Sequence, residues 1–94
     1  MRVSWDRNKS SSNQRKHRVS FNVAAGVFLD PRRIELYDDR EDYVEDRWIT
    51  IGAVGTAVLV VAYTVRDEGG EVIRLISARR ANAQEKRAYR DHQA

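Results

Sequence analysis

The alternation of polar and apolar positions changes period along this chain, and each change marks an element. Val3–Trp5 alternates as a short strand. From Asp6 to Arg18, thirteen residues then pass without one apolar side chain. Asp6 is a good N-cap residue, and the segment is held between the anchors Val3/Trp5 and Val19/Phe21, so the pattern predicts a helix over Asp6–His17. A stable helix that is polar all round is kept for something other than core packing. Ser20 caps a second helix, in which Phe21, Ala24, Ala25 and Phe28 recur at helical spacing. That helix stops before Asp30-Pro31, since proline disfavours the helical state of the residue before it. Ile34–Tyr37 alternates as a strand, and Asp38–Asp46 is an acidic loop. Arg47–Val54 and Ala57–Val65 are strands. The second is apolar at nearly every position, which predicts a central strand covered on both faces. Asp67–Gly70 is a turn with Gly-Gly supplying positive φ, and Val72–Ser77 is the last strand. Asn82, with Glu85 three residues on, forms a capping box for a final helix. The prediction is one α+β domain over 1–94, in the order β-α-α-β-β-β-β-α, with a mainly antiparallel sheet packed against helices.

The uncharged run Trp48–Val65 is long enough to span a bilayer. It contains Gly52, Gly55 and three threonines, and Gly55-Thr56 divides it into two strand-length pieces. A β-hairpin is therefore predicted and no membrane span. The absence of cysteine excludes a disulfide scaffold and a thiolate metal site. The start M-R-V-S-W-D lacks the apolar run of a secretory leader, so a cytoplasmic chain is expected. The net charge of +3 conceals a strong asymmetry. Residues 1–33 carry eight Lys/Arg against two acids, residues 34–71 three against ten, and residues 72–94 six against two. Basic ends and an acidic middle predict one face for a polyanion and another that repels it or meets a basic partner.

Four motifs appear in order: W-D-x-N-K-x-x-x-N-x-x-K-H over Trp5–His17, V-S-F-x-x-A-x-x-V-F-x-D-P over Val19–Pro31, Y-T-x-R over Tyr63–Arg66, and I-R-x-I-S-A-R-R-A over Ile73–Ala81, followed by Glu85 and Tyr89. Together they resemble the BrnT toxins of bacterial type II toxin–antitoxin systems, and the resemblance spans almost the whole chain. It implies a compact ribonuclease with a RelE-like α+β fold, restrained by a BrnA-type antitoxin of the ribbon-helix-helix class in a hetero-oligomer. It also implies repression of the complex's own operon, with DNA contacted only through the antitoxin. Glycine usually follows the Lys-His pair in that family and closes the first helix. Here Arg18 stands in that place, so the turn is either strained or different.

RNA cleavage without metal or cofactor needs a base for the 2′-OH, cations for the charge growing on phosphorus, and an acid for the departing 5′-oxygen. His92 lies in the expected frayed tail, which leaves His17 as the neutral-pH proton carrier by residue type. Lys9 serves as acid or base if neighbouring cations tune it, and Arg66, Arg79 and Arg80 suit bidentate clamping of phosphate. These five are the catalytic candidates. Asn13, Arg15, Lys16, Tyr63, Lys86 and Tyr89 are the RNA-binding candidates, the tyrosines as stacking platforms. Arg79 and Arg80 are expected between a strand end and a helix N-terminus, where backbone N–H groups favour anions. The Ser77–Arg80 strand end is expected to face the polar helix as the second wall of the site. Arg74 alternates with Val72 and Ile76 and is expected on their face. Trp5 and Phe21 read as core, Glu85 as a cap, and the acids of 38–46 as a solvated loop, since they lack calcium-loop spacing.

Two function classes follow from this sequence. One is an endoribonuclease toxin acting on RNA. The other is a non-catalytic partner that only helps to shape an autoregulatory repressor complex.

Overall fold

The computed structural model describes residues 2–93. Strands β1 (Arg2–Ser4), β2 (Ile34–Asp38), β3 (Arg47–Val54), β4 (Ala57–Asp67) and β5 (Glu71–Arg80) are joined by helices α1 (Arg7–His17), α2 (Phe21–Ala24) and α3 (Ala83–His92). A 3₁₀ turn over Ala25–Leu29 continues α2. The strands form one sheet in the order β1-β5-β4-β3-β2, so the apolar β4 is the middle strand. β2 to β5 pair antiparallel in sequence order, and β1 runs parallel to β5. The β3–β4 hairpin turns on Gly55-Thr56, with φ of +60° at Gly55, the positive value that a two-residue turn of the II′ class needs at its first position.

One sheet face presents Leu59, Val61, Tyr63, Ile73, Leu75 and Ala78 to Phe21, Ala24, Val27 and Phe28 of the α2 segment. Trp5 meets Phe21 edge-on with ring centroids 6.2 Å apart, and Phe28 meets Tyr63 in the same way at 5.0 Å. Full burial of Phe21 contributes about 3 kcal/mol. The 3₁₀ turn lies so close to β3 that a Cβ at Gly52 would stand 2.5 Å from Val27 Cγ2. On the other face Ile51, Val60 and Ala81 form a smaller cluster with Tyr89 of α3. No residue of α3 is buried.

Helix α1 has no apolar side chain, and its mooring is polar. β1 pairs only with Val72–Arg74, which leaves the outer edge of β5 without a strand beyond that point. Asn13, 7% exposed, takes the vacant place. Its Nδ2 donates to Ala78 O at 2.8 Å and to Val19 O at 3.0 Å, and its Oδ1 accepts from Ala78 N at 3.0 Å. One amide thus replaces a strand's pair of ladder bonds, and satisfied buried polar groups of this kind are costly to break. Asp6 caps the start of α1 by accepting from the backbone N–H groups of Asn8 and Lys9. Arg18 closes the other end in the left-handed region, at φ 59° and ψ 30°, with its N–H donating to Gln14 O at 2.8 Å.

Several sequence expectations are corrected in detail. Trp5 lies outside β1, and the second helix keeps only one α-helical turn before tightening to 3₁₀. β4 and β5 run on to Asp67 and Arg80, so Arg79 and Arg80 are the last residues of β5, two residues before α3. A bulge interrupts the alternation of β5: Leu75 pairs with Tyr63 and Ser77 with Ala62, which leaves Ile76 without a partner. The bulge thus breaks the register alternation by which Ile76 was expected on the face of Val72 and Arg74.

Two stability outcomes test this framework, both read from urea unfolding midpoints. Asn13→Asp, which keeps the size but loses both donated bonds, is expected to cost about 3 kcal/mol. Arg18→Gly is expected to be more stable than Arg18→Ala by about 1 kcal/mol, because only glycine adopts positive φ without strain.

Candidate functional site

The polar face of α1 repeats at 9, 12, 13, 16 and 17, which helical geometry stacks along one side. That side lies against β5 at its bulge. Lys9, Ser12, Asn13, Lys16 and His17 together with Ile76 and Ser77 line a cleft of about 230 Å³. Asn13 is committed to its backbone bonds, so the cleft's polar groups free of such work are the hydroxyls, the two ammoniums and the imidazole. Lys9 and Lys16 are exposed and His17 is half-buried. Among the described residues, no carboxylate lines the cleft. Lys16 lies in the last turn of α1, where the helix dipole favours positive charge.

A second groove, of about 280 Å³, also borders α1. Gln14, Arg18, Val19, Ser20, Val23, Ala57, Leu59 and Arg80 line it, again without an acid among the described residues. His17 and Arg18 are consecutive, so the two depressions share the last turn of the helix.

The remaining candidates are dispersed. Arg79 follows strand alternation onto the face opposite Arg80, where NH1 and NH2 donate to the two carboxylate oxygens of Glu85, each at 2.7 Å. Glu85 also closes the capping box with Asn82, so it is cap and ion-pair partner at once. Arg66 lies toward the other end of the β4–β5 ladder and pairs with Glu45 of the acidic loop at 3.2 Å. Tyr63 is 3% exposed beneath Phe28, and burial, reinforced by Glu35, pushes its hydroxyl up to about 12. Its ring is core and not an open stacking surface. Asn13 likewise has no amide donor left over for RNA. Tyr89 donates its hydroxyl to Asp30, which ties α3 to the Asp30-Pro31 corner. Tyr89 and Lys86 line a shallow apolar depression with Thr56 and Val58, away from α1. Arg15 is exposed on the free side of α1.

The acidic middle is organised by its own arginine. Asp38 is 4% exposed and accepts from Nε and NH2 of Arg40 and from Tyr43 OH, which holds its carboxyl far below the usual range. The expected second wall is met in part: Ser77 and Ile76 supply it, and Arg79 and Arg80 do not. Ser12 was legible from its helical spacing with Lys9 and Lys16. Ile76 was not, because its position depends on the bulge. The groove of Arg18 depends on the left-handed cap, which no propensity signals for arginine.

A family model described as "Ribonuclease toxin, BrnT, of type II toxin-antitoxin system" matches residues 5–85. The fold is similar to the crystal structure of the Brucella abortus ribonuclease toxin, BrnT, with a TM-score of 0.62 and 25% sequence identity, covering 87% of this chain and 97% of that one. No curated protein matches the chain.

The Arg79–Glu85 pair predicts a pH dependence. Hydrogen bonds from Arg79 hold the Glu85 carboxyl below its ordinary 4.5, against the opposing effect of partial burial. A carboxyl depressed in the folded state contributes stability that is present above its unfolded pKa and lost as pH falls through the folded one. Glu85→Gln is therefore expected to cost about 1 kcal/mol at neutral pH. The gap from the parent protein should close as pH falls below 4.5 in urea titrations.

Proposed function

The chain belongs to the BrnT family of ribonuclease toxins of type II toxin–antitoxin systems, and from that premise we propose that it is a metal-independent endoribonuclease whose chemistry is performed in the cleft between α1 and β5. The observation that carries this reading is the convergence of Lys9, Lys16 and His17 with Ser12 and Ser77 in a depression that no carboxylate lines. A phosphodiester seated there has its 2′-OH attack the adjacent phosphorus. The O2′–P bond forms and the P–O5′ bond breaks, leaving a 2′,3′-cyclic phosphate and a 5′-hydroxyl. The proton lost from O2′ is matched by one delivered to O5′: His17 carries one of these transfers and solvent water the other. The ammoniums of Lys9 and Lys16 neutralise the charge that builds on the phosphorane, the term that usually dominates such catalysis. Arg80 belongs to the adjoining groove and holds the strand instead of the reacting phosphate. Arg79 and Arg66, occupied by Glu85 and Glu45, serve the fold in this reading.

The fold is read as RelE-like, and the natural partner as a BrnA-like ribbon-helix-helix antitoxin in a cytoplasmic hetero-oligomer that meets DNA only through the antitoxin. The described residues contain no helix long and apolar enough to cross a membrane. The polarity of charge supports a protein partner on the acidic side and RNA on the basic side.

Purified protein, freed of any antitoxin, is expected to cut RNA in excess EDTA and to leave 2′,3′-cyclic ends. His17→Ala should lower the single-turnover rate by about 10²–10⁴-fold. Lys9→Ala should lower it less while the fold remains intact by circular dichroism. Cleavage no faster than that of the Lys9→Ala/His17→Ala double variant would remove the catalytic reading and leave a binding partner. Growth arrest on induction, relieved by the antitoxin, separates the same two cases in cells.

A further inference from the structure

Arg18 is the only described residue other than glycine with positive φ. Its capping bond to Gln14 O is a backbone bond that any residue makes, and glycine makes it without strain. The Arg18 side chain packs in no core, is exposed, and has no salt-bridge partner among the described residues. It lines the second groove together with Arg80, which also has no salt bridge among the described residues. By contrast Arg33, Arg40, Arg66 and Arg79 each hold a carboxylate. Two guanidiniums on one acid-free groove repel each other until an anion lies between them. Ser20 is part of the same wall. Its Oγ accepts from Val23 N at 3.2 Å, which leaves its hydroxyl proton free to donate into the groove. Leu59, Ala57 and Val23 form an apolar floor beside these donors.

We propose that the Arg18–Arg80 groove is a second phosphate-binding subsite, which holds a phosphodiester of the same RNA strand next to the one reacting in the α1–β5 cleft. Bidentate guanidinium forks and a hydroxyl suit the equatorial oxygens of a phosphodiester, and the apolar floor suits a ribose or base edge. At this left-handed cap, φ 59° and ψ 30°, Arg18 lines the groove. Observed backbone strain of this kind is characteristic of functional positions. The groove shares the last turn of α1 with the cleft, so a strand passing round the helix end reaches both. The inference rests on the ribonuclease reading for its ligand and adds a site to it.

The test uses a short single-stranded RNA made uncleavable by 2′-O-methyl groups, so that binding is read apart from chemistry. The parent protein, Arg18→Gly, Arg80→Ala and the double variant are titrated at several salt concentrations. Each arginine removed is expected to make the log–log salt slope shallower by about 0.7, the value for one phosphate contact on a single strand. The double variant should bind roughly tenfold more weakly at low salt. Arg18→Gly should lose RNA affinity while gaining stability, which separates the effect from misfolding. Arg18→Lys and Arg80→Lys should keep the slope and lose only part of the affinity. A double variant that folds and binds RNA with the parent's affinity and slope overturns the subsite. So does a double variant that keeps RNA affinity but loses binding to a glutamate-rich peptide, which would mark the groove as a protein contact. If the parent binds RNA with the expected arginine dependence yet cleaves none, the catalytic reading fails and the subsite stands.

Discussion

The architecture depends on one side-chain amide. α1 carries no hydrophobic group that could hold it to the sheet, and the parallel strand before it covers only Val72–Arg74 of β5. Asn13 supplies what is missing on both counts. It completes the hydrogen bonding of β5 at Ala78 and draws in Val19 O, so that the helix, the strand edge and the chain entering α2 meet at one buried point. A helix docked by an apolar stripe would have buried that face. Docking through a single polar residue leaves Lys9, Lys16 and His17 around it free, which is how a helix of such composition borders a cleft.

The sheet also separates charge. On the helix side the last turn of α1 gathers Arg15, Lys16, His17 and Arg18, and β5 adds Arg80. The acidic loop is drawn to the other end of the strands, where Asp38 anchors Arg40 and Tyr43, and Glu45 holds Arg66. The arginines that meet acids stabilise loops and helix α3. Two of those that meet none among the described residues, Arg18 and Arg80, border the groove beside α1. This sorting, more than the count of basic residues, gives the molecule a side suited to a polyanion.

Adjacent arginines illustrate why the candidate site was only partly legible. Arg79 and Arg80 look equivalent in sequence, but a strand's period of two sends them to opposite faces, one to Glu85 and one to the groove. They do stand at the strand end before the helix N-terminus, where Arg79 meets the first-turn Glu85 of α3. Lys9, Lys16 and His17 were legible because helical spacing alone puts them on one side of α1. Asn13 was legible as part of that face but not as its anchor, since the strand edge that it completes comes from a segment far along the chain. Tyr63 offered the same appearance as an exposed tyrosine until Phe28 closed over it.

The local pattern was sufficient for the element types, the Asp6, Ser20 and Asn82 caps, the Gly55 hairpin and the central place of the apolar strand, because these follow from periodicity and from backbone preferences over a few residues. Tertiary structure alone decided which edge of β5 was left open, where the bulge shifted the alternation, and that Arg66 would find Glu45. Those outcomes depend on pairings between residues distant in sequence, and no local propensity encodes them.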